Sequence, residues 1–146
     1  MIYIFIISIV IWIDLYSKRI AKIKLKDKRC QKLFGKFYLC LAYNTGAAYG
    51  LFKHKPNFLK ILIGVTIILL SLVLFTGIMT RYDPWISGCL SFILGGALGN
   101  YIDRIKNGGV TDFLYIKSKH FPIFNIADLF ILFPSIILLV FHFHMV

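Results

Sequence analysis

Asp112 and Asp128 stand 16 positions apart, each in a setting that suits a reaction centre. Thr111-Asp112-Phe113 follows the pair Gly108-Gly109, and Asn125-Ile-Ala-Asp128 opens an apolar run. Two carboxyl groups that meet in a low-dielectric setting cannot both ionise comfortably, so one pKa rises and the pair shares a proton. The ionised member can take a proton from water while the protonated member hydrogen-bonds a scissile carbonyl. That is aspartyl-protease chemistry, and it needs neither a metal nor a nucleophilic side chain. Each aspartate also has a plainer reading. Asp112 could sit in a turn, and Asn125 could cap a helix with Asp128 in its first turn, facing the positive end of the dipole.

Other polar residues gather at spacings that favour a shared surface. Asn100, Asp103 and Arg104 are at i, i+3 and i+4, on one face of a helix, where they could orient the acids or simply end a span as an Asp–Arg pair. Asp14 and Lys18, at i and i+4, could form an intrahelical ion pair. Gly95 and Gly99 make a GxxxG pattern that lets a second helix approach closely. Asn44-Thr-Gly46-Ala-Ala-Tyr-Gly50 could be a turn, or could present backbone groups and the Asn44 amide to a peptide. All six acids are aspartate, at 14, 27, 83, 103, 112 and 128. No serine or cysteine has a histidine obviously placed to activate it. No metal site is expected: there is no CxxC, and His142 and His144, two apart, do not share a helix face. A Cys30–Cys40 disulfide is possible but has no support from the sequence, and Cys89, in an apolar run, reads as a small core residue.

These residues need elements to hold them. Of the 146 residues, 59% are hydrophobic, more than a soluble domain of this size can bury, so lipid is the natural solvent. Apolar stretches run from Ile2 to about Tyr16, from Phe58 to Thr80, from Pro84 to about Ile102 and from about Asn125 to Val146. The expected fold is all-α: four transmembrane helices in a single membrane-embedded domain, 1–146, with a small β-containing extramembrane loop between helices 1 and 2. That loop, Ser17 to Asn57, carries the alternating stretch Phe37–Tyr43, read as a short strand or two. Arg81-Tyr82-Asp83 is a tight turn, and Arg104 to Phe124 is the last loop, broken at Gly108-Gly109. In a four-span chain the ends of spans one and three and the starts of spans two and four lie on one side. Asp14, Lys18, Asn44, Asn100, Asp103, Arg104, Asp112, Asn125 and Asp128 all fall there, as a site requires and a simple anchor does not.

The start is apolar but lacks the basic n-region and small-residue cleavage site of a cleavable signal peptide. The first stretch is short for a span, which needs about 20 residues. A basic extension before Met1 would lengthen it and help orient it. Formal net charge is +11. Because the basic residues sit between apolar runs, phospholipid head groups are the expected partner rather than nucleic acid.

Taken together, these segments resemble the lipoprotein signal peptidase (type II signal peptidase) family, from Asp14 to Asp128 and in the family's order. Asp14-Leu-Tyr-Ser-Lys18 resembles its first motif and Asn44 to Gly50 its second, with Tyr49 where the family commonly has Phe. Gly95 to Arg104 resembles the third. Gly109-Val-Thr-Asp112-Phe and Phe124-Asn-Ile-Ala-Asp128 resemble the motifs that carry the two catalytic aspartates. The resemblance implies a multi-pass enzyme of the bacterial inner membrane that cleaves prolipoproteins just before a diacylglyceryl-modified cysteine, without a cofactor. It implies Asp112 and Asp128 as the catalytic pair. Asn44, Gly46, Asn100, Arg104 and Asn125 would support the site and hold substrate, and Asp14, Lys18 and Asp103 would stand behind them. It also implies sensitivity to globomycin-type inhibitors, and a loop between spans one and two that covers the lipopeptide at the periplasmic face. Charge points the other way. Twelve Lys/Arg lie from Lys18 to Lys60 and four from Arg104 to Lys119, against Arg81 alone on the opposite side. On the positive-inside rule the motif-bearing face would be cytoplasmic. Two other functions fit the composition: a small proton-coupled carrier, whose coupling groups belong near the bilayer midplane, and a relative that binds lipopeptide without cutting it.

Overall fold

The computed structural model describes residues 1–26, 30–47, 51–81, 83–118 and 121–145, with side chains described up to Phe141. Asp27, Tyr82, His120, the segment Ala48-Tyr49-Gly50 and the side chains of His142 and His144 lie outside the described residues. Four helices, α1 (Ile2–Lys24), α2 (Pro56–Met79), α3 (Pro84–Asn107) and α4 (Ile126–Met145), are joined by three strands, β1 (Cys30–Phe34), β2 (Phe37–Asn44) and β3 (Val110–Ile116).

α3 is the central helix and packs against each of the other three. Its small residues set the spacing. A Cβ on Gly95 would lie 2.8 Å from the Val10 Cβ, and one on Gly99 would lie 2.6 Å from the Asp14 carboxylate, so both face α1. A Cβ on Gly96 would lie 2.7 Å from the Ala127 carbonyl, so it faces α4. The GxxxG pattern thus brings two backbones close enough to place polar side chains of three helices in one layer. Pro84 opens α3 at a position where its missing N–H costs nothing, and Asp83 caps it by accepting from the Trp85 N–H at 3.0 Å.

α2 and α3 are long and apolar enough to cross a membrane, with mean hydropathy 2.8 and 1.3, and Ile126–Phe141 is a shorter apolar helix. α2 exposes apolar side chains around most of its circumference, among them Ile61, Val65, Ile68, Leu72 and Phe75. Such a surface suits lipid and not water. α1 corrects the expectation of a span ending near Tyr16: it continues to Lys24. Val10, Asp14, Lys18 and Ala21 recur at helical spacing as its buried stripe. The charged pair turns inward and pairs, so it does not end the helix.

The strands form one antiparallel sheet in the order β1-β2-β3. The expected β structure between helices 1 and 2 is present, and β3 adds to it a strand from the segment read as a loop between α3 and α4. Cys30 and Cys40, opposite each other in the β1–β2 register, form a disulfide. Leu39, Leu41, Leu114 and Ile126 pack on Ala21, Leu25 and Phe113, which seats the sheet on the end of α1. Gly108, at φ 76°, ends α3 in the left-handed conformation that glycine adopts without strain and turns the chain into β3. Gly109 passes under β2, where a Cβ would meet the Asn44 carbonyl oxygen at 3.0 Å.

Candidate active site

The turn at Gly108 carries Asp112 back over the start of α4, where Asp128 stands in the first turn. Asn125 joins the two. Its side-chain Nδ2 donates to Asp112 Oδ1 at 2.7 Å, and its backbone N–H donates to Asp128 Oδ2 at 3.0 Å. The Asn125 Oδ1 in turn accepts from the Asp128 N–H at 3.1 Å. The helix-cap reading of Asn125 and Asp128 therefore holds as a reciprocal capping box, and the same residues also reach the second carboxyl. Asn100 completes the ring. Its Nδ2 donates to Asp128 Oδ1 at 2.9 Å, and its Oδ1 accepts from Asn125 at 3.1 Å and from Lys18 Nζ at 2.9 Å. An amide so held can point only its NH2 at Asp128, because its oxygen faces a cation.

Beneath this ring lies a buried charge layer. Lys18 Nζ bonds Asp14 Oδ2 at 2.7 Å and stands 3.8 Å from Asp103. Asp14 also accepts from the Ala127 N–H at 3.1 Å, a free donor of the first turn of α4. Asp103 accepts from the Thr111 N–H at 2.6 Å and from the Asn107 amide, with Lys22 at 3.6 Å. Asp103 thereby holds the start of β3 one residue before Asp112. Arg104 crosses to the loop after β2, where its Nη2 donates to the Gly46 carbonyl at 2.8 Å. Gly46 N–H donates to Asn44 Oδ1 at 3.0 Å, which fixes that side chain. Arg104 Nε is buried with no partner among the described residues.

Asn44, Asn100, Arg104, Asp112 and Asp128 line one cavity of about 500 Å³, and its walls continue along α4 past Ile131 and Leu132 to Ser135. Of the residues expected to share the site, Asp14, Lys18, Gly46, Asp103 and Asn125 do not line this cavity; they hold those that do. The face shared by Asn100, Asp103 and Arg104 divides: the first and third look into the cavity, and Asp103 turns to α1 and β3. Sequence reasoning missed Asn107 and the Ala127 backbone as ligands of the buried carboxylates. It also missed the Pro122–Phe124 wall, and no local signal marks any of them.

Burial pushes the Asp112 carboxyl up from 3.8 to about 6; the nearby Asp128 charge adds to this, while the bonds from Asn125 and Asn44 oppose it. Charge balance agrees. Lys18, Lys22 and Arg104 stand among Asp14, Asp103, Asp112 and Asp128, so one shared proton leaves the cluster neutral. Asp112, 5% exposed, is the natural holder of that proton. Asp128, in the first turn of α4, accepts from the Asn100 side-chain amide of α3 and from the Asn125 backbone N–H.

A family model described as Signal peptidase (SPase) II matches residues 6–144. The chain belongs to the signal peptidase II family. The lipoprotein signal peptidase of Brevibacillus brevis is 36% identical over 128 residues, which cover 87% of this chain and 85% of that one. That of Clostridium tetani is 43% identical over 102 residues, 67% of this chain and 64% of its own length. A bacterial membrane enzyme solved by the in meso method superposes with a TM-score of 0.83 at 26% identity, covering 97% of this chain and 87% of that one. As a signal peptidase II, the chain is a hydrolase of lipoprotein processing in a membrane-enzyme family. The family assignment does not favour the carrier reading.

Proposed function

We propose that Asp112 and Asp128 are the catalytic pair of an aspartyl endopeptidase that cuts diacylglyceryl-modified prolipoproteins just before the lipidated cysteine. The observation that carries this reading is the Asn125 bridge, which ties both carboxyls to one cavity that is polar at the dyad and apolar along α4. Asp128 takes a proton from water, and the resulting hydroxide attacks the scissile carbonyl carbon. Asp112 gives its proton to the carbonyl oxygen. The tetrahedral intermediate then collapses: its oxygen returns the proton to Asp112, the C–N bond breaks, and the cysteine amine leaves with the proton held by Asp128. Asn44 and Arg104, which line the cavity and are both fixed through Gly46, hold the substrate backbone. Asn100 and Asn125 keep the carboxyls in place. The apolar wall along α4 takes the signal segment and acyl chains, and globomycin-type peptides compete for the same cavity.

All four helices span the bacterial inner membrane, and the sheet and site lie on its periplasmic face. The disulfide on the sheet supports this side, because such bonds persist in oxidising compartments. Lys18, Lys22 and Arg104 are engaged with internal carboxylates or the Gly46 carbonyl and so do not act as free orienting charges. Other lysines of this face, Lys53 apart, meet phospholipid head groups.

The direct test is purified protein with a prolipoprotein offered with and without its diacylglyceryl group. Cleavage of the lipidated form alone, with a product that begins at the modified cysteine, is expected. Equal cleavage of both forms would remove lipid recognition from the reading. A reporter fused after Val146 should be active on the cytoplasmic side; a periplasmic reporter contradicts the topology.

The proton on Asp112 also sets the pH profile. kcat/KM, which reports the free enzyme, should fall about tenfold per pH unit above roughly pH 6, where Asp112 ionises. The break in kcat should lie higher, because bound substrate desolvates the pair further. A flat profile from pH 5 to 8 would show that no protonated carboxyl is needed.

A further inference from the structure

A peptide cut at the dyad has two arms, and the molecule offers two cavities to receive them. The first runs along α4 to Ser135 and is apolar beyond the dyad. A second, of about 290 Å³, shares Asn44, Asp112, Pro122 and Ile123 with it and opens away past Ala42, Tyr43, Thr45 and Lys53. The arm before the cut is a hydrophobic signal segment and suits the first. The arm after the cysteine must run out to water, and the second cavity, the more polar of the two, is its exit from the dyad.

Lys53 is the one cation among the described residues that line this exit. Its side chain is exposed, but its backbone is held. Phe52 is in the left-handed region at φ 60°, unusual for a bulky residue. The Lys55 N–H donates to the Phe52 carbonyl at 2.8 Å, and the Ala47 N–H donates to the Leu51 carbonyl at 2.7 Å. The Phe52 ring packs on Phe58 with centroids 5.4 Å apart. The loop therefore presents Lys53 at a fixed place on the rim. The one carboxyl group among the described residues that line the exit is Asp112, at its inner end.

We propose that Lys53 is a specificity-determining residue that selects prolipoproteins with acidic side chains in the two or three positions after the lipidated cysteine, and disfavours basic ones. This rests on the peptidase reading above. A solvent-facing ion pair yields a modest preference: about three- to fivefold in kcat/KM for Asp over Ser, and a similar factor for Ser over Lys.

The test uses the full chain in lipid with three diacylglyceryl substrates that differ only in the residues following the cysteine: Asp, Ser or Lys. The wild type should rank them Asp, Ser, Lys, and K53E should reverse the order. K53Q should flatten the series, which keeps the test decisive if K53E does not fold. Raising salt should compress the wild-type spread. An unchanged rank order in K53Q overturns the proposal and leaves Lys53 as a headgroup contact, an outcome in which all three substrates shift together. Failure of the wild type to cleave any of the three would instead sink the peptidase reading.

Discussion

Replacing either carboxyl of the dyad, as Asp112→Asn or Asp128→Asn, is expected to lower cleavage of a lipidated prolipoprotein by about 10²–10⁴-fold, the range general acid–base groups supply. The two variants should differ in stability, and that difference separates catalysis from folding. Asp112 holds its proton to about pH 6 in the folded chain but only to about 3.8 when unfolded. Between those values the folded state binds more protons, so stability falls as pH rises from about 4 to about 6 and stays lower above it. The ionised group thus costs about 3 kcal/mol at neutral pH. Asp112→Asn removes that cost while its amide oxygen can still accept from Asn125. Its unfolding midpoint at pH 7.5 should equal or exceed that of the wild type, with a smaller drop between pH 4 and 6. Asp128→Asn disturbs the donors from Asn100 and Asn125 and the α4 cap, so it should be somewhat less stable. Cleavage above about a tenth of wild type by either variant would exclude that residue from the catalytic pair.

Lys18→Met should give the largest loss of stability of any single change in the charge layer, about 3–5 kcal/mol, because it strands buried carboxylates. Lys18 is 2% exposed and Asp14 fully buried, and among the described residues Asp103 keeps only the half-buried Lys22 as an ion-pair partner, with Arg104 further off. Asn100 would also lose the cation that fixes its amide, so its oxygen could rotate toward Asp128 and leave a repulsive contact. Activity at low temperature, where the variant still folds, should therefore fall as well. The double variant Asp14→Asn/Lys18→Met should recover part of the stability, since it removes one stranded charge. An unfolding midpoint unchanged by Lys18→Met would show that this network is not the keystone between α1, α3 and α4.

The boundaries of α2 and α4 and the start of α3 at Pro84 were legible in the chain within a few residues, because an apolar helix is written locally; the end of α3 was not, since it runs past the expected Ile102 to Asn107, through residues read as loop. The small residues of α3 announced a close helix approach, and parity predicted that the polar groups would gather together, as Asn44, Asn100, Arg104, Asp112 and Asp128 do around one cavity. The length of α1 was not legible. Asp14 and Lys18, though spaced as an ion pair, look like the edge of a span until the side-chain oxygen of Asn100, 82 positions away, is known to meet Lys18. β3 was hidden for the same reason. Val110–Ile116 is strand-compatible, but what makes it a strand is β2, more than 60 positions earlier.

The kinds of group at the site were determined by sequence alone: in a chain with no glutamate, the candidate carboxyls reduce to a few aspartates, and their order matched one family. Which of them share a cavity was decided only by the tertiary structure. Asn125 serves both as a helix cap and as the bridge from Asp128 to Asp112, and no spacing rule distinguishes those roles. Likewise Asp103 and Arg104 are neighbours on a helix yet hold different layers, because their partners arrive from β3 and from the loop after β2. Sequence periodicity says which side a residue faces; only the packing of distant segments says what it meets there, and a buried charge takes its role from that partner.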